Sequence, residues 1–156
     1  MVKAHDELPR TPANFVALSP LRYLERAAYI YPHQAAIIHG TRHLSWRETY
    51  TRCCYFAHQL QNLGIQKNDT VSVLLPNIPA MVEAHFAVPM AGAVLNTLNT
   101  RLDAKTIAFM LEHAETKVLL VDPEFAALAQ EAVALVDQEI FIIDVADEEY
   151  EANDTT

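Results

Sequence analysis

The sequence predicts an α/β fold: a partial doubly wound parallel sheet preceded by a helix and a β-hairpin. Three observations carry that expectation. From Thr70 onward, apolar runs alternate with helical periodicities, in the order 70–75, 79–91, 93–95, 103–115, 117–121, 123–135 and 140–145. Strands separated by helices of this length pair in parallel through right-handed crossovers. The runs Val118-Leu119-Leu120-Val121 and Ile140-Phe141-Ile142-Ile143 contain no polar residue, as expected of strands covered on both faces. Helix caps and stops fall between the runs, where a layered fold needs them.

Residues 1–18 read as an irregular arm. Ser19 then supplies an N-cap and Pro20 the first helical position, with Leu18 and Tyr23 placed to form a hydrophobic staple. Pro32 disfavours helical geometry at Tyr31 and ends that helix. The segments 35–39 and 42–44 flank Gly40-Thr41, which suits a tight hairpin with glycine at positive φ. Ser45 and Glu48 have capping-box spacing, and Trp46, Tyr50, Cys53, Ala57 and Leu60 repeat along one helical face. Leu63-Gly64 provides the stop.

Within the alternating part, Asp103 caps a helix with a Leu102–Ile107 staple, and Asp122-Pro123-Glu124 opens another with cap, proline and dipole-matching acid. Gly92 separates a helix from a strand and allows backbones to approach closely. Pro89 removes the hydrogen bond to the His85 carbonyl and should kink or end its helix. Residues 146–156 lack periodicity and apolar content, and read as an acidic loop or frayed tail.

At 156 residues and 51% hydrophobic content, the chain has material for one sizeable core. All 11 basic side chains precede Asp137, while eight of the 20 acids lie between Asp137 and Asp154. A nearly neutral body with an acidic end offers no basic stripe, so no nucleic-acid partner is expected. Asp6, Glu7, Pro9 and Pro12 interrupt the start where a signal peptide would need an apolar core, which points to the cytoplasm. Prolines 76, 79 and 89, with Glu83 and His85, argue against a membrane span in the most apolar region.

No residue is assigned a catalytic, cofactor-binding or metal role. Ser45 is explained as a cap, Ser72 as a strand residue, and Cys53 and Cys54 as buried reduced thiols on a core-facing helix. Adjacent cysteines point about 100° apart on a helix and cannot form a redox pair there. His39 and His43 can approach across the hairpin but lack a third ligand, and His85 and His113 read as satisfied groups at the core edge. Gly40, Gly64 and Gly92 are isolated, so no phosphate loop can be built from them. The helix start at Asn77-Ile78-Pro79 has a dipole for an anion, but proline removes a donor.

Three segments carry a resemblance. Leu44-Ser45-Trp46-Arg47-Glu48-Thr49 resembles the L-[ST]-[YW]-x-E-L signature of adenylate-forming enzymes, with Thr49 in place of leucine. Met90-Ala91-Gly92-Ala93-Val94 resembles their K-A-G-A-x, with Met90 in the lysine place, and Thr97-Leu98-Asn99 corresponds to a common P-L-N. Thr70–Asn77 is similar in character to the strand between them. The chain thus resembles the opening part of an acyl-CoA synthetase, with residues 19–145 as an incomplete N-terminal α/β region of an AMP-binding domain.

The resemblance implies activation of a fatty or other small carboxylic acid through an acyl-adenylate, then thioester formation with coenzyme A. For the full-length enzyme it implies ATP, Mg and CoA, and a homodimer. The glycine-rich ATP loop, the acid that reaches ribose and the late lysine that assists adenylation belong to later parts of such enzymes. Residues 1–156 are therefore expected to bind none of these cofactors, to be inactive alone, and to need the remainder of the enzyme or a complementing chain. Two other readings stand beside it: a stand-alone flavodoxin-like nucleotide-binding domain, and a non-catalytic subunit completing its sheet with a partner.

Overall fold

The computed structural model describes residues 9–146. The expectations for the first eight residues of the arm and for the acidic segment after Ala146 lie outside the described residues. Helix α1 (Pro20–Ile30) starts at Ser19, whose Oγ accepts from the Leu21 amide at 3.3 Å. Leu24 and Ala28 point inward. Leu18 and Tyr23 are 83% and 58% exposed, so the expected staple buries little. Strands β1 (Ala35–His39) and β2 (Arg42–Ser45) form a separate antiparallel hairpin, with Gly40 at φ +54°.

Helix α2 (Trp46–Asn62) opens with the expected capping box: the Glu48 amide donates to Ser45 Oγ, and Glu48 Oε2 accepts from the Ser45 amide at 2.8 Å. Its buried face is Thr49, Cys53, Ala57 and Leu60. It ends in a Schellman motif: the Gly64 amide donates to Gln61 O, the Ile65 amide to Leu60 O, and Gly64 takes φ +88°.

The main sheet contains β3 (Thr70–Leu74), β4 (Val94–Thr97), β5 (Thr116–Val121) and β6 (Phe141–Asp144), all parallel, in the spatial order β4-β3-β5-β6. Among these four strands the first in sequence lies between the second and third, the order of a doubly wound sheet. Helix α3 (Pro79–Met90) joins β3 to β4; α4 (Ala104–His113) joins β4 to β5; a 3₁₀ turn (Pro123–Phe125) and α5 (Ala126–Val133) lead to β6. The last connection was expected as one helix over 123–135. Instead Asp122 Oδ1 accepts from the Glu124 amide at 2.9 Å and tightens the first turn to 3₁₀.

Opposite directions of travel put the helices on opposite faces. On the first face, α1, α2 and α3 cover Val71, Val73, Leu75, Val118 and Leu120; on the second, α4 and α5 cover Leu74, Leu119 and Val121. Leu102 and Ile107 both join the second cluster, as their staple spacing requires. Strand β6 departs from expectation. Its apolar run suggested cover on both faces, but it lies at the edge of the described sheet and Phe141 is 54% exposed.

Pro89 ends α3 without breaking it early: the helix continues through Met90 and closes with the Gly92 amide on Pro89 O and the Ala93 amide on Val88 O. Gly92 is required by its φ of +83°, not by crowding, because an added Cβ would lie 3.7 Å from Lys67 Cα, an ordinary contact. One extra residue in β5, Lys117, sits between the pairs Thr70–Thr116 and Val71–Val118. Beside it, Thr116 Oγ1 lies 2.7 Å from Ser72 Oγ, which also accepts from Asn96 Nδ2 at 3.0 Å.

Candidate functional site

Doubly wound sheets bind ligands where the strand order reverses, beyond the carboxyl ends of the strands. Here that point lies between β3 and β5, and it is stitched closed by backbone. The Asp122 amide donates to Leu74 O at 3.1 Å across β5 and β3; one strand further on, the Val145 amide donates to Val121 O at 2.8 Å across β6 and β5. Ile78 and Pro79 are buried at the start of α3, and the Ile78 amide donates to Pro76 O. Within the Asn77-Ile78-Pro79 turn, the Ile78 amide is thus already bonded and the proline has none to offer.

The three glycines are likewise committed. Gly40 turns the hairpin, and Gly64 and Gly92 end helices. His39 and His43 are brought into neighbouring rungs but not together: His39 pairs with Arg42 and His43 with Ile38, so the imidazoles leave opposite faces of the ribbon. No group of three or more metal-binding side chains occurs among the described residues.

His85 and His113 are both exposed, and so are not at the core edge as expected. His85 Nδ1 lies 2.8 Å from Met81 O, one turn back, and His113 stacks on Phe109 at 5.7 Å. The cysteines divide too. Cys53 is buried and Cys54 exposed, because neighbours on a helix cannot share one inward direction. Burial pushes the Cys53 thiol up to about 12, helped by the charge of Glu83 and the nearby Cys54 and opposed by Arg52. A thiol held neutral to that degree is no nucleophile.

A concavity lies on the first face, between α2, α3 and β6. It is an open groove of about 780 Å³, with Tyr55 and Phe56 on one wall, Ala80 on another, and Leu75, Leu120 and Ile143 beneath. Arg52 forms a two-pronged ion pair with Glu83 along this groove, Nη2 donating to Oε2 at 3.1 Å and Nε to Oε1. Glu83 is 5% exposed, and a carboxylate so buried needs such a partner. Neither residue was singled out in the sequence as a pair. The available signal was Glu83 itself, a lone acid in the apolar helix Pro79–Met90.

Such an arrangement holds helices together and offers a largely apolar surface. Residues 24–156 match the family model described as AMP-binding enzyme. The chain belongs to that family.

An acetate–CoA ligase of Humulus lupulus is 52% identical over 134 residues, which is 86% of this chain and 24% of that protein. A peroxisomal trans-cinnamate:CoA ligase of Petunia hybrida is 53% identical over 137 residues, 88% of this chain and 24% of that protein. The chain thus spans about a quarter of the length of these relatives. Among solved structures, an anthranilate–CoA ligase in complex with anthranoyl-AMP superimposes with a TM-score of 0.79. That match covers 92% of this chain and 27% of the other at 22% identity, and it shows that the two share their fold. The segments around Ser45 and Gly92 are architectural in this structure: one is a capping box and the other a helix end feeding a strand.

Proposed function

We propose that this chain supplies the N-terminal scaffold of an ATP-dependent acyl-CoA ligase, with residues 19–145 as an incomplete α/β region between an arm at 1–18 and an acidic loop or tail at 146–156. In the whole enzyme, the carboxylate attacks the α-phosphorus of ATP and pyrophosphate leaves. The coenzyme A thiol then displaces AMP from the acyl-adenylate to give the thioester. No step is assigned to the described residues. Their role is to hold the sheet to which the reactive parts attach. The match over residues 24–156, with about half the residues shared with CoA ligases, carries this reading.

The substrate is a carboxylic acid with a small apolar body; acetate and cinnamate head the trial set because the relatives are named for them. Acid-dependent pyrophosphate exchange is expected to be absent from the chain alone, with or without Mg. Robust exchange would overturn the scaffold reading. The doubly wound strand order favours one competitor, a flavodoxin-like nucleotide binder. Saturable binding of ATP, AMP or FMN by the isolated chain would establish that competitor instead.

No helix among the described residues is long and apolar enough to cross a membrane. The cytoplasm is the compartment the sequence suggests, and the peroxisome is the one named for the Petunia relative. A fluorescent fusion of the full-length protein distinguishes them.

A further inference from the structure

Exposed apolar side chains are not spread evenly over this molecule. Seven of the 15 large ones among the described residues fall between Phe15 and Tyr31, in the arm and on the outer side of α1. The other eight are scattered from Ile38 to Phe141. Clustering of the first kind marks a contact surface.

Local chemistry builds both halves of the patch. In the arm, the Asn14 and Phe15 amides donate to Thr11 O at 3.1 and 2.9 Å, and the Thr11 amide donates to Asn14 Oδ1 at 2.8 Å. That turn sets the Arg10 guanidinium 4.8 Å from the centre of the Phe15 ring. In α1, Leu24 and Ala28 take the inward direction. At about 100° per residue, Arg22, Tyr23, Arg26, Tyr29 and Ile30 all point within about 60° of the opposite direction. Arginines and apolar tips therefore share one outer surface.

Charge selects the partner. Residues 9–33 carry three arginines and one acid, Glu25, which lies to one side with Arg22 at a hollow against Tyr50. The chain as a whole stands at −9, so an anionic surface repels it except at this end. Tyrosine and arginine each join an apolar body to a polar tip, which suits the headgroup level of a bilayer. We propose that the arm and α1 form a peripheral contact for anionic membrane surfaces. Tyr29 and Ile30 enter the interface, and Arg10, Arg22 and Arg26 meet the charged headgroups. The contact lies on the bilayer without spanning it, and it does not depend on the ligase reading.

Co-sedimentation of the purified chain with phosphatidylcholine vesicles, plain or with about a third phosphatidylserine, tests the contact. Binding is expected to be several-fold stronger to the phosphatidylserine vesicles and to weaken as salt rises. Arg22→Gln with Arg26→Gln should weaken it about thirtyfold at low salt, and Arg10→Gln alone about fivefold. Tyr29→Ser with Ile30→Ser should weaken it several-fold at every salt concentration. All five side chains are exposed, so the melting temperatures should stay unchanged. No binding to phosphatidylserine vesicles, or binding that survives both sets of arginine substitutions, would overturn the proposal. So would a lipid-free dimer, seen by light scattering, that the Tyr29→Ser and Ile30→Ser pair abolishes, because the patch would then belong to a second copy of the chain.

Discussion

The two faces of the sheet are built from the same strands and finished differently. Behind the second face, α4 and α5 close over Leu74, Leu119 and Val121, and the polar atoms of Ser72, Thr116 and Asn96 satisfy one another. On the first face, α1, α2 and α3 cover β3 and part of β5, then stop short of β6 and leave the groove. One face is covered by helices as far as β6 and keeps only a hollow of about 210 Å³ beside α5; the other ends at a larger open wall, mostly apolar. The difference shows that burial of a strand residue depends on which helix reaches it as much as on its own hydrophobicity.

Neighbouring leucines in β5 provide the sharpest test. Leu119→Ala, on the closed face, leaves a cavity that the packed helices cannot collapse, and should cost about 3 kcal/mol. Leu120→Ala, on the groove floor, enlarges a space already open to water and should cost about 2 kcal/mol. Equal losses in urea denaturation would erase the distinction between the faces. Arg52→Ala strands the Glu83 carboxylate on the unfinished face; with Arg52 45% exposed, solvent softens the penalty to about 2 kcal/mol. A loss near zero would mean that the groove wall does not need the pair.

Thiol chemistry reports the same contrast within α2. A disulfide reagent at pH 8 should modify Cys54 rapidly and Cys53 only after unfolding, giving one fast thiol per native chain. The sign for pH follows from the raised Cys53 value. The unfolded thiol ionises near 8.5, so its contribution to stability is complete below that point and is lost as pH rises toward about 12. Replacing Cys53 with alanine should flatten that alkaline decline. The smallest effect concerns the end of α4, where Glu115 holds φ +50° in the place glycine takes after α2 and α3. Glu115→Gly should stabilise the chain by about 0.5 kcal/mol in thermal melts, by relieving left-handed strain.

Local chemistry was the legible part of this fold. Ser45 with Glu48, Asp103 with Thr106, and Gly64 and Gly92 mark ends through interactions within a few residues, and each acts where the sequence put it. The alternation after Thr70 revealed parallel strands for the same reason. Strand order was not legible, because hydrophobicity does not say which neighbour a strand chooses, and so Phe141 was expected under cover. The Arg52–Glu83 contact joins residues 31 apart through the packing of α2 on α3, a relation absent from either helix alone. Cys54 was expected to be buried like Cys53, but the inward face of α2 admits Cys53 and excludes its neighbour.

The chain of side chains from Asn96 through Ser72 to Thr116 has a consequence for uniqueness. Valine and leucine are nearly interchangeable to a hydrocarbon interior, so a strand sliding two residues along its neighbours would keep every greasy side facing the same way. Sliding would also carry the Ser72 hydroxyl away from both mates and strand it in oil. Three small polar groups thus act as a notch in an otherwise featureless rail, giving the sheet one stopping place.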